Sequence, residues 1–270
     1  MKDILLDLGQ RKVLEFLPFG DAHVGSPYCD KEAIDKNIDW VKADKNRMFI
    51  GLGDLMDNAT VGSVSCSYSA TMTPHQQVDY WAEKLWPIRK QIMAMTEGNH
   101  ELRTYKQCGI HLTKLLCEQL GIEDVYSEGA FMLFVKMADF RTQRYSEKGA
   151  KNGKMPARRS VFTIYGKHGS GGGGTSGGKV NRIDKMINTV DCDVYLHAHT
   201  HMPFIKKGSI IRVDRSNCVS KQSPQLFVNC AAMLKHGGYG EAFGFSPCST
   251  DTPKIVLRTE PVKSAEAFTW

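Results

Sequence analysis

No apolar run in this 270-residue chain reaches the roughly 18 residues that a membrane-spanning helix needs. The opening stretch MKDILLDLGQRKVLEF has no apolar core behind a basic start, so it does not read as a secretory leader. Cysteine occurs at eight positions (29, 66, 108, 117, 192, 218, 230 and 248), but no two are spaced as CxxC. That excludes a zinc ribbon and suits free thiols in a reducing compartment better than a disulfide scaffold. Repeats of about 20 to 50 residues are absent, and no polar tail stands out. With 41% hydrophobic residues the chain can bury a substantial core. These absences predict a soluble, cytoplasmic, globular protein with no membrane partner, in which cysteine does no chemistry.

What is present is an alternation of strand-like and helix-like segments. VLEFLPFGDAH, RMFIGLGD and IMAMTEGNH are short apolar runs, and KEAIDKNIDWVKADKN carries Ile34, Ile38 and Val41 at helical spacing. HQQVDYWAEKLWPIRKQI reads as a helix with a break at Pro87, and GIHLTKLLCEQLG as a helix closed by glycine. AFMLFVKMA, SVFTIYGKH and DVYLHAH are strands, and KVNRIDKMINTV is a helix. From about residue 203 onward the pattern is mostly strand. The class is α/β, with either one mixed sheet or two packed sheets. A single domain over 1–270 is expected, with a basic loop inserted at about 139–159.

The net charge of +6 is unevenly placed. Between Lys136 and Lys167 there are nine Lys or Arg residues, Arg141, Arg144, Arg158 and Arg159 among them, against only Asp139 and Glu147. Charge runs are usually solvated loops, but clustered cations also concentrate phosphates. This run leads into the strand that ends at His168, so the loop is expected at the mouth of a site there.

The strongest signal lies where the apolar runs stop. Five of them end in Asp21 and His23, in Asp54, in Asn99 and His100, in His168, and in His199 and His201. In α/β proteins the crevice beyond the carboxyl ends of strands is where sites are built. In VYLHAHTH, histidines at every second position would share one face of a strand. Asp, His and Asn together are donors of intermediate hardness, suited to Mn, Fe, Co, Ni or Zn rather than calcium. There are enough of them for two ions sharing an aspartate, an arrangement that activates a bridging water and clamps the oxygens of an in-line displacement at phosphorus.

The motifs GDAH (20–23), GDLMD (53–57), GNHE (98–101), KHG (167–169) and AHTH (198–201), in this order, resemble those of the calcineurin-like metallophosphoesterases. Five of the nine histidines fall on motif positions. The resemblance implies two packed mixed β-sheets flanked by helices and a site with two divalent ions, manganese first among those named. It assigns Asp21, His23 and His201 to one ion and Asn99, His168 and His199 to the other, with Asp54 between them. His100 becomes the proton donor to the leaving oxygen, and Asp57 accepts from its other ring nitrogen. His197 falls on no ligand position and is read as structural. Ala198 stands where the family has glycine.

The implied reaction is hydrolysis of a phosphate ester, with a phosphodiester of DNA, RNA or a nucleotide as the favoured substrate. Asn58 stands where protein phosphatases carry arginine, which disfavours that subgroup. Arg103, two residues past GNHE, is a candidate phosphate contact, with an exposed arginine on a helix face as the commoner alternative. A small-molecule phosphomonoesterase or nucleotide hydrolase is the enzymatic alternative, and a non-catalytic protein-binding scaffold is the other class. GGTSGGKV (173–180) nearly spells a P-loop, but Val180 cannot ligate magnesium.

Overall fold

The computed structural model describes residues 1–63, 65–138, 159–171, 175–238, 241, 244 and 246–269. Its apolar runs form two six-stranded sheets lying face to face, with Phe16, Ile50, Leu133, Ile164, Val194 and Leu196 among the side chains buried between them. The first sheet has the order β12 (Ser264–Phe268), β11 (Lys254–Arg258), β2 (Val13–Phe19), β3 (Arg47–Gly51), β4 (Ile92–Thr96) and β5 (Tyr126–Ser127). From β2 to β5 it is parallel, while β11 and β12 run antiparallel to their neighbours. The second has the order β1 (Lys2–Asp7), β6 (Phe131–Ala138), β7 (Arg159–Gly166), β8 (Val194–His197), β10 (Val219–Asn229) and β9 (Phe204–Asp214). Here β6–β7 and β10–β9 are antiparallel and the other pairs parallel. Both sheets are therefore mixed, and the architecture is an α/β sandwich.

Helices cover the outer faces. On the first sheet lie α1 (Lys31–Lys42), α2 (Pro74–Leu85) and α4 (Leu112–Leu120), which bury Ile34, Ile38, Trp81, Leu85 and Leu116. Local chemistry fixes their ends. Asp30 accepts from the Ala33 N–H, Thr73 and Gln76 form a reciprocal capping box, and Gly121 closes α4 in the left-handed conformation. On the second sheet α5 (Ser176–Asp184) packs Ile183 near Tyr165, Tyr195 and Phe227. Thr175 caps α5, so the near-P-loop sequence is an ordinary helix start.

Three local readings change. The edge strand β1 and the helix α3 (Glu101–Cys108) were not anticipated. The segment after α2 tightens at Trp86 into a 3₁₀ turn through Gln91, with Pro87 in its first turn. The strand VYLH ends at His197, so the later histidines are not on it. In the β6–β7 hairpin Phe131 pairs with Gly166 and Ala138 with Arg159. The basic loop expected at the mouth of the His168 site lies, but for Arg159, outside the described residues.

All eight cysteines are free thiols. Among the described residues no helix is long and apolar enough to cross a membrane.

Candidate metal centre

Seven side chains meet beyond the carboxyl ends of β2, β3 and β4 from one sheet and of β7 and β8 from the other. They reach inward from tight loops rather than from strand faces. Asp21, His23, Asp54, His199 and His201 all have positive φ, at 51°, 47°, 48°, 64° and 56°. Each such non-glycine conformation costs on the order of 1–3 kcal/mol and persists only where the surroundings enforce it. A main-chain lattice does so here: Asp21 N–H to Gly53 O (3.1 Å), His23 N–H to Asp54 O (3.0 Å), Met233 N–H to Asp21 O (2.9 Å) and Ala198 N–H to His168 O (2.9 Å). The Ala198 methyl lies against Gly20, where a Cβ would come within 3.0 Å of it, so the departure from glycine at 198 is absorbed by the glycine opposite.

Two groups of donors result. In the first, Nε2 of His23 and Nε2 of His201 face each other at 3.2 Å, and Asp21 Oδ1 lies 3.7 Å from the latter. Both carboxylate oxygens of Asp21 are buried with no hydrogen-bond partner. In the second, His168 Nε2 has Asn99 Oδ1 at 3.1 Å, His199 Nδ1 at 3.2 Å and Asp54 Oδ2 at 3.2 Å. The His168 Nδ1–H donates to the Leu52 carbonyl at 2.7 Å, which leaves the Nε2 lone pair directed at the group. Three triads have ligand atoms close enough to hold an ion: Asp21/His23/His201, His23/Asp54/His100 and Asp54/His168/His199.

Burial and mutual charge set the protonation of this cluster. Burial pushes the Asp21 carboxyl up to about 8, with His168 pulling against it and Asp54 adding to it. Burial alone would lower His168, but Asp54, helped by Asp21 and Glu101, carries it up to about 10. Burial, together with His168, brings His199 down to about 4, and burial with His23 holds His201 well below its ordinary value. Burial also lowers His23. Imidazoles that burial keeps unprotonated at His23, His199 and His201, beside the buried carboxyl groups of Asp21 and Asp54, are in the form that ligates metal. With the unpartnered Asp21 oxygens they form a His/Asp donor set that fits a divalent cation.

His100 stands beside this set. Its Nδ1–H donates to the main-chain carbonyl of Asp57 at 2.7 Å, and the Asp57 carboxylate is 3.4 Å away. The acceptor expected at Asp57 is thus supplied chiefly by the backbone. That carboxylate also faces His23 Nδ1 at 3.6 Å and accepts from Ser65 Oγ at 3.2 Å. His100 Nε2 accepts from Arg103 Nη2 at 2.9 Å, and Arg103 Nη1 reaches Asp57 O (3.0 Å) and Ser65 Oγ (3.2 Å).

Two supporting residues escaped the sequence reading. Glu101, fully buried, accepts from the N–H groups of Asp54 (2.9 Å), Met56 (3.0 Å) and Gly98 (2.9 Å), tying the β3 and β4 loops together. Its only sequence signal was the last letter of GNHE. Asn58, considered only for not being arginine, donates to His100 O at 2.6 Å and accepts from Thr104 at 2.9 Å, anchoring the start of α3.

Other named residues lie elsewhere. Arg159 starts β7, at the end remote from His168, where it pairs with Asp7 at 3.2 Å and donates to Gly9 O. The structure does not bring it to the cluster. Arg141, Arg144 and Arg158 fall outside the described residues. His197 is buried and donates to Asn229 Oδ1 at 2.8 Å, and burial lowers it to about 4.

The two packed mixed sheets and the convergence of all seven donors on their shared edge are what the motif resemblance implies. No protein-family model matches the chain, and no curated protein does either. Among solved structures it is similar to a predicted phosphoesterase of Streptococcus pneumoniae TIGR4, with 11% identity, 96% of this chain and 99% of that one covered, and a TM-score of 0.36. It is similar also to a Thermotoga maritima protein (15% identity, 95% and 99% covered, TM-score 0.37). A third is Vps29 of Entamoeba histolytica, complexed with zinc (9% identity, 95% and 99% covered, TM-score 0.37). The scores are low.

Proposed function

We propose that this protein is a dimetal phosphoesterase that hydrolyses phosphodiesters, with nucleic acid or nucleotides as substrate, in the reducing compartment that its free thiols suit. The observation that carries the reading is the buried Asp21 carboxylate, unpartnered at both oxygens beside two histidines that turn their Nε2 atoms toward each other.

Asp21, His23 and His201 would hold one ion, Asn99, His168 and His199 the other, and Asp54 both. Manganese is the first choice for such a mixed nitrogen and oxygen set, with Fe, Zn, Co and Ni close behind. When bound, two such ions lower the pKa of a shared water and neutralise charge on the phosphoryl oxygens. Asp54 is fixed for its part because its Oδ1 accepts from the His100 N–H at 2.8 Å, leaving Oδ2 directed at the cluster. His100 sits one residue from Asn99, and its Nε2, which here accepts from Arg103 Nη2, would give a proton to the leaving oxygen once that contact opens. Asn58 and the Asp57 carbonyl fix its main chain and its ring.

The test is a metal-stripped preparation titrated with Mn and assayed on a chromogenic diester, a monoester, and single- and double-stranded DNA. Faster cleavage of the diester supports the reading. A clear monoester preference would replace it with the phosphomonoesterase alternative, and bound metal without turnover on any of these would favour a scaffold.

A further inference from the structure

Arg103 has no role yet that accounts for its charge. It lies partly buried in the first turns of α3, and its hydrogen bonds go to three uncharged acceptors: the Asp57 carbonyl, Ser65 Oγ and His100 Nε2. It makes no ion pair with a carboxylate among the described residues. A guanidinium usually spends its forked donors on a carboxylate or phosphate, and one held away from both is a poor choice for structure alone. Burial lowers its pKa, against the pull of the Asp57, Asp54 and Glu101 carboxylates, none of which it bonds directly.

Its position relative to the reaction follows from His100. Attack at phosphorus breaks the bond to the leaving oxygen, which keeps the bonding pair and takes a proton from His100 Nε2, a proton that Nε2 acquires from solvent once the Arg103 N–H has left its lone pair. In this structure that nitrogen is covered by Arg103 Nη2 at 2.9 Å. The leaving oxygen must come up where that N–H now sits, which sets the displaced guanidinium alongside the leaving group and away from the metal-held phosphoryl oxygens. We infer that Arg103 is a specificity-determining residue that selects leaving groups carrying a second anionic group near the ester oxygen, as the next phosphate of a nucleic-acid strand would be.

The inference rests on the phosphoesterase reading and takes it a step further.

Three dinucleotides test it with Mn-loaded protein: TpT, pTpT and TpTp, the last two carrying the extra phosphate on either possible leaving side. One of these two is expected to be cleaved roughly ten- to a hundredfold better than TpT in kcat/KM, the range of one charge-assisted contact. In Arg103→Ala that ratio should collapse toward one whatever the overall rate, and Arg103→Lys, which keeps the charge, should retain part of it. A structural role would slow all three substrates alike and leave the ratio standing. A binding readout needs no turnover. Thymidine 3′,5′-bisphosphate should raise the Tm of metal-free wild type more than either monophosphate does, and this difference should vanish in Arg103→Ala. Equal cleavage of the three dinucleotides, or a preference that survives Arg103→Ala, overturns the inference while the phosphoesterase reading stands. No turnover of any phosphoester by loaded wild type would sink that reading itself.

Discussion

His100 turns one ring nitrogen to a main-chain carbonyl and the other to Arg103, so its removal leaves the seven assigned donors untouched. His100→Asn should therefore lower kcat about 10²- to 10⁴-fold, the usual worth of a positioned acid, with metal content by elemental analysis unchanged. Loss of metal in that variant would instead place His100 among the ligands, as the triad with His23 and Asp54 allows. Protonation gives a second prediction at this scale, for metal-free protein. Asp21, raised from 3.8 to about 8, and His168, raised from 6.5 to about 10, both bind protons more tightly folded than unfolded. Their stabilisation is present at low pH and is lost as pH rises through the folded values. The depressed histidines, His199 among them, act in the opposite sense only below their unfolded value of 6.5. Between pH 6.5 and 8 the stability of stripped protein should therefore fall, and Asp21→Asn should flatten that slope in denaturant titrations.

At the scale of elements, the loops after β3 and β4 are held together by one carboxylate with three N–H donors. Glu101→Gln replaces one accepting oxygen by a donor facing those groups. It should cost about 2–3 kcal/mol of stability by urea unfolding and weaken metal binding with it. This is also where the limits of the sequence show. The ends of the β2, β3, β4, β7 and β8 strands, and the donors just past them, were legible because each apolar run stops at a polar residue of ligand type. The helix α3 was not, because eight residues give barely two turns of periodicity. The histidines of VYLHAHTH were read as one strand face, yet His199 and His201 converge through left-handed backbone turns that strand alternation does not describe. Glu101 was missed because three N–H donors from two loops meet only after both sheets have packed. Arg159 was misplaced because charge along the chain carries no information about hairpin register.

At the scale of the molecule, the centre lies across the join of the sandwich. The first donor group takes Asp21 and His23 from one sheet and His201 from the other. The second takes Asp54 and Asn99 from one and His168 and His199 from the other. Each ion would therefore link the two sheets, and binding should stabilise the whole fold by about 2.7 kcal/mol per site at a hundredfold excess over Kd. A chelator is expected to lower the Tm of the wild type, and to lower it less in His201→Ala. The pairing of Ala138 with Arg159 sets a further prediction, since it closes the hairpin without the intervening segment. Replacing 139–158 by a short turn should keep Mn-dependent turnover of a chromogenic diester within about twofold of wild type, because the deleted chain joins at the far end from the site.

The central claim is that two cations share Asp54. It is tested most directly by counting manganese per chain, by elemental analysis after equilibrium dialysis, in wild type, Asp21→Ala, His168→Ala and Asp54→Ala. The account predicts two ions in the wild type, one in each of the first two variants, and neither held tightly once Asp54 is removed. A wild type that binds no manganese, or an Asp54→Ala protein that still holds two ions, would contradict it.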